Sequence, residues 1–285
     1  MKLCRFQLDD GRSRVGLTLD DVSVVDFSLA GVERLETLLE SEDPLRLVEK
    51  LAATTTRAHR IANVKFLPPL EQHEVWAAGV TYLRSKKARM DESRFSASAY
   101  DKVYDAERPE LFFKSLAGKV VPHRQAIGIR GDSKWSVPEP ELALVINSHG
   151  KVVGCTIGND VSARDIEGEN LLYLPQAKVY HRSCALGPWV VVAPQEEAAR
   201  QWTITMEILR GGAPVFKGET SVGQLKRSFA ELAEFLCRSQ VFNHGAVLLT
   251  GTGIVPPDDF TLAVGDLVRI VISGIGTLEN PVVAV

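Results

Sequence analysis

Three short runs within the first 65 residues alternate apolar with polar side chains. They cover residues 3–8, 15–19 and 22–27, and an Asp9-Asp10-Gly11 turn separates the first two. A period of two is typical of half-buried strands, so this region predicts a short antiparallel meander.

The pattern becomes helical after residue 40. Asp43-Pro44 is typical of a helix start, with an N-cap and a proline at the first helical position, and we expect Leu45, Val48 and Leu51 to share one face. Residues 65–69, Lys-Phe-Leu-Pro-Pro, predict a linker because proline cannot continue a helix. We therefore expect a small N-terminal α+β domain, residues 1–65, followed by a second domain, residues 70–285.

The second domain has mostly strand patterns. Apolar runs lie at residues 75–80, 111–113, 142–146, 152–157, 189–192, 247–249 and 267–272. One amphipathic helix interrupts them, with Leu225, Phe229, Leu232, Ala233 and Leu236 at helical spacing. Gly211-Gly212 is typical of a hairpin turn. Since strands and helices do not alternate regularly, the pattern predicts an α+β fold that is mainly β, not a doubly wound sheet.

Composition excludes several classes of protein. The chain has 285 residues, of which 45% are hydrophobic and 24% charged, as in ordinary globular proteins. Its net charge of −3 offers no general attraction for nucleic acid or an anionic membrane, so we expect a small-molecule partner. The first residues lack an apolar signal-peptide core, and the four cysteines lack Cys-x-x-Cys spacing, which favours a cytoplasmic protein with reduced thiols.

Candidate chemistry begins with two glutamates at the start of an apolar strand, Pro138 to Ile146. Residues two apart on a strand face the same side, so Glu139 and Glu141 present two carboxylates on one face. These like charges repel each other unless a cation lies between them. A solvated strand end that carries two acids is the alternative.

The next strand adds a third carboxylate. Residues 147–150, Asn-Ser-His-Gly, are a candidate tight turn, so the strands on either side should pair as a hairpin. With either two-residue loop, 148–149 or 149–150, Asp160 falls on the same face as Glu139 and Glu141, provided that no bulge intervenes. Three converging carboxylates suit a hard cation, Mg²⁺ before Mn²⁺ or Ca²⁺.

Further charged residues follow Asp160. Ser162 is a candidate helix cap, and Arg164 and Asp165 either orient the metal ligands or form an ordinary surface pair. Lys178 lies in an apolar segment, which makes it a candidate for a cation near the carboxylates, although a surface position is the common fate of a lysine.

At these residues the sequence resembles the fumarylacetoacetate hydrolase superfamily. The resemblance rests on four blocks, residues 138–146, 158–165, 186–190 and 249–253, and covers the chain from about residue 75 to the C-terminus. Residues 100–105, 108–114 and 169–178 resemble, more finely, the branch that dehydrates 2-keto-3-deoxy-D-arabinonate.

The resemblance implies a mixed β-sandwich roll with a divalent cation on Glu139, Glu141 and Asp160. It places Lys178 beside the metal and in contact with substrate. It also implies that Thr250-Gly251-Thr252 receives the substrate carboxylate and that Lys114 lines the same cleft. Tyr82 is a further candidate for substrate binding, with core packing as its alternative.

One departure from the superfamily pattern bears on the reaction. Hydrolases of the superfamily carry a His and a Glu on a lid, which activate water, whereas this chain has Ser85 and Lys86 near the His position and Arg89 near the Glu position. The segment therefore lacks a general base for water, which disfavours C–C hydrolysis.

The sequence thus predicts a Mg²⁺-dependent lyase, a hydro-lyase of a 2-keto-3-deoxy sugar acid that gives 2,5-dioxopentanoate from the five-carbon substrate. The metal would stabilise an enolate, with Lys178 and Glu110 as catalytic residues; Glu110 could instead pair with Lys114 or Arg108. The alternatives are an acylpyruvate or fumarylacetoacetate-type hydrolase, an oxaloacetate decarboxylase, and a non-catalytic sugar-acid-binding protein. The resemblance also implies a homodimer or a dimer-based tetramer.

Overall fold

The structure is a computed structural model that describes residues 1–92 and 102–285, with the backbone alone for 88–92. Arg89 and Tyr100, which contributed to the lid and branch predictions, therefore have side chains outside the described residues. None of the described helices is long and apolar enough to cross a membrane.

Strands dominate the described residues. They are β1 Lys2–Gln7, β2 Ser13–Thr18, β3 Ser23–Asp26, β4 Ala58–Arg60, β5 Lys65–Leu67, β6 Glu74–Gly79, β7 Glu110–Leu116, β8 Ile127–Ile129, β9 Ser136–Val137, β10 Pro140–Ile146, β11 Val152–Asp160, β12 Ser162–Ala163, β13 Cys184–Val192, β14 Thr203–Arg210, β15 Ala213–Ser221, β16 Ala246–Leu249, β17 Leu267–Ile272 and β18 Gly276–Ala284. Every strand predicted from an apolar run is present, and Gly211-Gly212 joins β14 to β15.

The helices are shorter. They are α1 Leu35–Leu39, α2 Pro44–Thr54, α3 Leu83–Glu92, α4 Arg164–Glu169, α5 Leu174–Lys178, α6 Glu196–Ala199 and α7 Phe229–Cys237. The Asp43 carboxylate caps α2 by accepting from the Arg46 N–H, as predicted. The buried face of α2 differs from the predicted one, which contained Leu45, Val48 and Leu51. In the structure Pro44 and Val48 are buried, whereas Leu45 is exposed. Leu225 lies before α7 and not within it.

Two mixed layers of strands form the architecture within the described residues. The main sheet has the order β4-β3-β2-β1-β13-β11-β10-β16-β6-β7, with β5 also paired to β1. A second sheet has the order β15-β14-β17-β18-β8, and β9 pairs with β12. The mainly β, α+β prediction is confirmed. The N-terminal strands continue the main sheet through the pairing of β1 with β13, and the division between residues 1–65 and 70–285 stays a prediction.

Strand β10 lies between two hydrophobic cores. Leu142, Leu144 and Ile146 pack into the core shared with the second sheet and α7, whereas Ala143 and Val145 pack on the opposite face with α1 and α2. Burial on both faces explains the unbroken apolar run. Glu139 and Glu141 are in phase with Ala143 and Val145, so they lie on that second face.

The β10–β11 hairpin differs in detail from the two-residue turn that we expected. Its loop spans residues 147–151, closed by the Asn147 N–H donating to the Lys151 carbonyl at 2.9 Å. Ile146 is opposite Val152 but Val145 is opposite Gly154, which makes Val153 the extra residue of a bulge. The longer loop and the bulge offset each other, because the Asp160 N–H still donates to the Glu139 carbonyl at 3.0 Å.

Candidate active site

Three carboxylates converge where β10 begins and β11 ends. Glu139, Glu141 and Asp160 each offer an oxygen, and these oxygens all lie within 4.8 Å of one another. All three side chains are buried, with at most 4% exposure. The predicted convergence is therefore present, and the solvated strand end does not describe this patch.

Lys178, the last residue of α5, lies among these carboxylates. Its Nζ donates to Glu139 Oε2 at 2.8 Å, to Asp160 Oδ2 at 3.3 Å and to Ser162 Oγ at 2.6 Å. The side chain is buried and lies over the Phe112 ring, so its ammonium is held by polar groups on one side and an aromatic face on another.

Two further buried cations contact the same carboxylates. Arg164, at the start of α4, donates from Nη2 to Glu139 Oε1 at 2.7 Å. Lys114 of β7 forms an ion pair with Asp160 and also donates to the Val161 carbonyl at 3.2 Å. Their charges lower the cost of burying carboxylates that would otherwise repel one another.

Glu141 receives its direct hydrogen bond from the backbone. The Gly251 N–H donates to Glu141 Oε2 at 2.6 Å, in a turn where Gly251 has a φ of +93°. A Cβ at residue 251 would also collide with Thr81 Oγ1, so this position requires glycine. Burial, and then the charges of Asp160 and Glu139, raise the pKa of Glu141 well above its ordinary value.

Glu167 is a buried carboxylate that the sequence did not single out. Its oxygens lie 3.9 Å from Lys178 Nζ and 3.8 Å from Arg164 Nε. Its signal in the sequence is the spacing of three from Arg164, which places both side chains on one face of α4. Ser162 was predicted as a helix cap, but α4 begins at Arg164 and has no side-chain cap. Ser162 is instead buried in β12, and its hydroxyl accepts a hydrogen bond from Lys178.

A small cavity lies beside these groups. Its walls include Glu139, Asp160, Glu167, Lys178 and Glu110, and are completed by Ala78, Gly79, Val80, Ser85, Phe112, Gly251 and Thr252. The Glu110 carboxylate lies over Gly79, where a Cβ would come within 2.1 Å of Glu110 Oε2. Lys114 and Arg108 were the alternative partners that we considered for Glu110. In the structure, Lys114 forms an ion pair with Asp160, and Arg108 lies over the Phe235 ring.

The predicted substrate-binding residues have different positions. Thr252 lines the cavity, and its hydroxyl interacts with the backbone of Ile254. The Thr250 hydroxyl donates to the Leu142 carbonyl at 2.9 Å and is not part of the cavity wall. Tyr82 is buried in the core beside Gly253, and its hydroxyl has no hydrogen-bond partner among the described residues.

Asp165 is separated from the carboxylates in its hydrogen bonding. It accepts from Ser133 Oγ at 2.6 Å and from the Lys134 N–H at 2.8 Å. Of the predicted pair Arg164 and Asp165, the structure therefore brings Arg164 to the site, while Asp165 holds the loop before β9.

The residues present fit a divalent cation. Magnesium takes oxygen ligands at about 2.1 Å, so opposite ligands lie roughly 4.2 Å apart, close to the 4.8 Å limit found here. Among the described residues, four buried carboxylates, counting Glu167, lie beside three buried cations, Lys114, Arg164 and Lys178. Burial, and then the neighbouring charges of Asp160 and Glu139, raise the pKa of Glu141, so a cation placed among these carboxylates would favour its charged form.

Comparison with known proteins agrees with this geometry. A family model described as fumarylacetoacetate (FAA) hydrolase C-terminal matches residues 74–283. The chain belongs to the fumarylacetoacetate hydrolase family. The family resemblance predicted from the sequence is thereby confirmed.

Two relatives and one solved structure narrow the comparison. A Haloferax volcanii protein named probable 2-keto-3-deoxyxylonate dehydratase is 46% identical over 243 residues, which cover 84% of this chain and 83% of the relative. The 2-dehydro-3-deoxy-D-arabinonate dehydratase of Saccharolobus solfataricus is 41% identical over 229 residues, which cover 79% of this chain and 77% of that relative. A structure of 2-keto-3-deoxy-D-arabinonate dehydratase complexed with magnesium and 2,5-dioxopentanoate is 35% identical in sequence and has a TM-score of 0.80. The match covers 100% of this chain and 99% of that chain.

Proposed function

We propose that this protein is a magnesium-dependent hydro-lyase that removes water from a 2-keto-3-deoxy sugar acid. The five-carbon acid of the 2-keto-3-deoxy-D-arabinonate type would give 2,5-dioxopentanoate. The observation that carries the proposal is the cluster of Glu139, Glu141 and Asp160 beside Lys178, at a cavity lined by Glu139, Asp160 and Lys178, in a chain similar to proteins named as dehydratases.

Glu139, Glu141 and Asp160 would hold the magnesium, which supplies a Lewis acid for the keto and carboxylate oxygens of the substrate. Lys178 keeps a positive charge in the cavity, fixed by Glu139 and Ser162. That charge stabilises the negative charge that develops on the substrate as the C3 proton leaves.

Glu110 is our candidate for proton transfer at C3 or C4. Its carboxyl group reaches the cavity across Gly79, a position without a side chain. Loss of the C3 proton and of the C4 hydroxyl as water gives an unsaturated acid that rearranges to the dioxo product. Water acts here as the leaving group, so the reaction needs no general base to activate it as a nucleophile.

The direct test is an assay of the purified protein with 2-keto-3-deoxypentonate and Mg²⁺, followed by mass spectrometry for the loss of one water. We expect EDTA to abolish turnover and Mg²⁺ to restore it, with Mn²⁺ and Ca²⁺ compared in parallel. Lys178→Met should leave no measurable product, since it removes the fixed charge.

Other outcomes would favour the alternatives. Preferential cleavage of an acylpyruvate would indicate a C–C hydrolase, and preferential loss of carbon dioxide from oxaloacetate would indicate a decarboxylase. Thermal stabilisation by the sugar acid without any product would indicate a binding protein. Turnover that EDTA leaves unchanged would contradict the metal-dependent reaction. Assembly as a homodimer or dimer-based tetramer stays a prediction, which measurement of the molar mass in solution by light scattering would test.

A further inference from the structure

A second cavity, with a volume of about 380 Å³, lies between the N-terminal residues and the strands β13, β17 and β18. The wall residues that the structure describes for it include none of those that line the active-site cavity. Its walls combine polar groups with an apolar surface, which consists of Ile61, Phe66, Pro188 and Trp189.

His123 offers this cavity a hydrogen-bond donor. Its Nδ1 accepts from the Glu279 N–H at 3.1 Å. Burial, and then the charge of Arg124, lower the pKa of His123 to about 4, so the ring is neutral at neutral pH. A neutral imidazole whose Nδ1 accepts a hydrogen bond carries its proton on Nε2. This Nε2–H has no hydrogen-bond partner within residues 1–92 and 102–285.

Arg124, the next residue of the wall, has an unusual backbone. Its φ is +66°, in the left-handed region where a Cβ crowds the following carbonyl, and its N–H donates to the Glu279 carbonyl at 2.7 Å. Its guanidinium has no ion-pair or hydrogen-bond partner among the described residues. Since neither the backbone conformation nor a side-chain contact favours arginine here, its charge remains for a ligand.

The other charged groups of the wall are paired with each other or with a neighbour. Asp21 accepts from Lys2 Nζ at 2.6 Å, and Arg269 donates from Nε to Glu279 Oε1 at 2.5 Å. Arg124 therefore selects an anion. One guanidinium beside one neutral N–H matches the single charge and the two oxygens of a carboxylate.

We propose that this cavity is a second ligand site, which binds a small carboxylate with an apolar body. Arg124 and the His123 Nε2–H hold the carboxylate, and the apolar body packs against Phe66, Pro188 and Trp189. The rings of Phe66 and Trp189 lie edge to face with their centroids 5.7 Å apart, and the volume is within the range of about 300–1,000 Å³ for small-molecule pockets. This site is independent of the proposed dehydration.

Calorimetry with 3-phenylpropanoate as the probe tests the site. The titration is made in EDTA, so that no metal ion recruits the acid to the carboxylate triad. The wild-type protein should bind the probe about tenfold or more tightly than 3-phenylpropan-1-ol, which lacks the charge, and than acetate, which lacks the apolar body. No saturable binding at millimolar concentrations, or equal binding of the alcohol, would overturn the inference.

Two variants locate the binding. Arg124→Gln should weaken it by about 10- to 100-fold. His123→Asn keeps a polar atom near the position of Nδ1 for the Glu279 N–H but removes the Nε2–H, so it should weaken binding by about tenfold. Arg12→Gln is the control, because Arg12 is exposed and lies outside this cavity, and it should bind the probe as the wild type does.

Urea unfolding shows whether each variant is folded. If Arg124→Gln does not fold, Arg124→Gly replaces it, because glycine adopts a φ of +66° without steric cost. Undiminished binding of the probe by a folded variant at residue 124 would overturn the inference, since the probe would then bind elsewhere, for instance in the active-site cavity.

Discussion

Replacing Glu141 by glutamine should stabilise the metal-free protein while abolishing its stabilisation by magnesium. The Glu141 carboxylate is buried beside Glu139 and Asp160, and its direct hydrogen bond comes from the Gly251 N–H. Glutamine keeps the acceptor and the volume but removes the charge. The variant therefore separates the cost of burying a third carboxylate from its use as a ligand.

The magnitude follows from the pKa. Burial and the two neighbouring carboxylates raise the pKa of Glu141 in the folded protein well above its ordinary value of 4.5. A raised pKa means that the stability contributed by this group is present below pH 4.5 and is lost as the pH rises towards the folded-state pKa. The loss is about 1.4 kcal/mol for each pH unit over which the unfolded chain has released this proton and the folded protein still holds it.

The assay is urea unfolding of the wild-type protein and Glu141→Gln at several pH values, in EDTA and in Mg²⁺. In EDTA, the free energy of unfolding of the variant should rise relative to that of the wild type by about 1.4 kcal/mol per pH unit, from pH 4.5 up to the folded-state pKa of Glu141. Magnesium at 100 times its dissociation constant should add about 2.7 kcal/mol to the wild type and little to the variant.

Glu169→Gln is a matched control, because an exposed glutamate should show neither effect. Equal stability of the wild type and Glu141→Gln in EDTA from pH 5 to pH 7 would refute the argument that this carboxylate is buried against like charge. An undiminished response of the variant to magnesium would refute its assignment as a ligand.

Two further substitutions test the groups around the cavity. Gly79→Ala places a Cβ where Glu110 Oε2 now lies, so kcat should fall by about 100-fold with the fold retained, whereas Gly118→Ala meets no atom within 4 Å and should leave kcat unchanged. Ser162→Ala removes a hydrogen-bond acceptor of Lys178, so we expect a loss of about 1–3 kcal/mol in denaturant unfolding and about a tenfold lower kcat. Normal kcat in Gly79→Ala would show that the reaction does not require the present position of the Glu110 carboxylate, and unchanged kcat in Ser162→Ala would show that this hydroxyl does not position Lys178.

The sequence by itself determined the strand pattern and the candidate carboxylates. A period of two places Glu139 and Glu141 on one face, and local pairing through a short loop brings Asp160 beside them. Both relations depend on neighbours along the chain, so the pattern of residues is enough to predict them. The prediction for Asp160 depends on the exact register, as the bulge at Val153 shows. A bulge without the longer loop would have turned Asp160 to the other face of the sheet.

The local pattern did not determine which other groups reach the carboxylates: the family resemblance implied Lys178 and Lys114, and only the tertiary structure decided their contacts and added Glu167. Lys114 comes from β7, 46 positions before Asp160, and its contact depends on how the strands of the main sheet are ordered. Glu167 reaches the cavity because α4 begins at Arg164. Thr250 does not line the cavity, because its hydroxyl donates a hydrogen bond to the Leu142 carbonyl of β10. These positions arise from the packing of segments that are distant in the chain, which no local period of hydrophobic residues encodes.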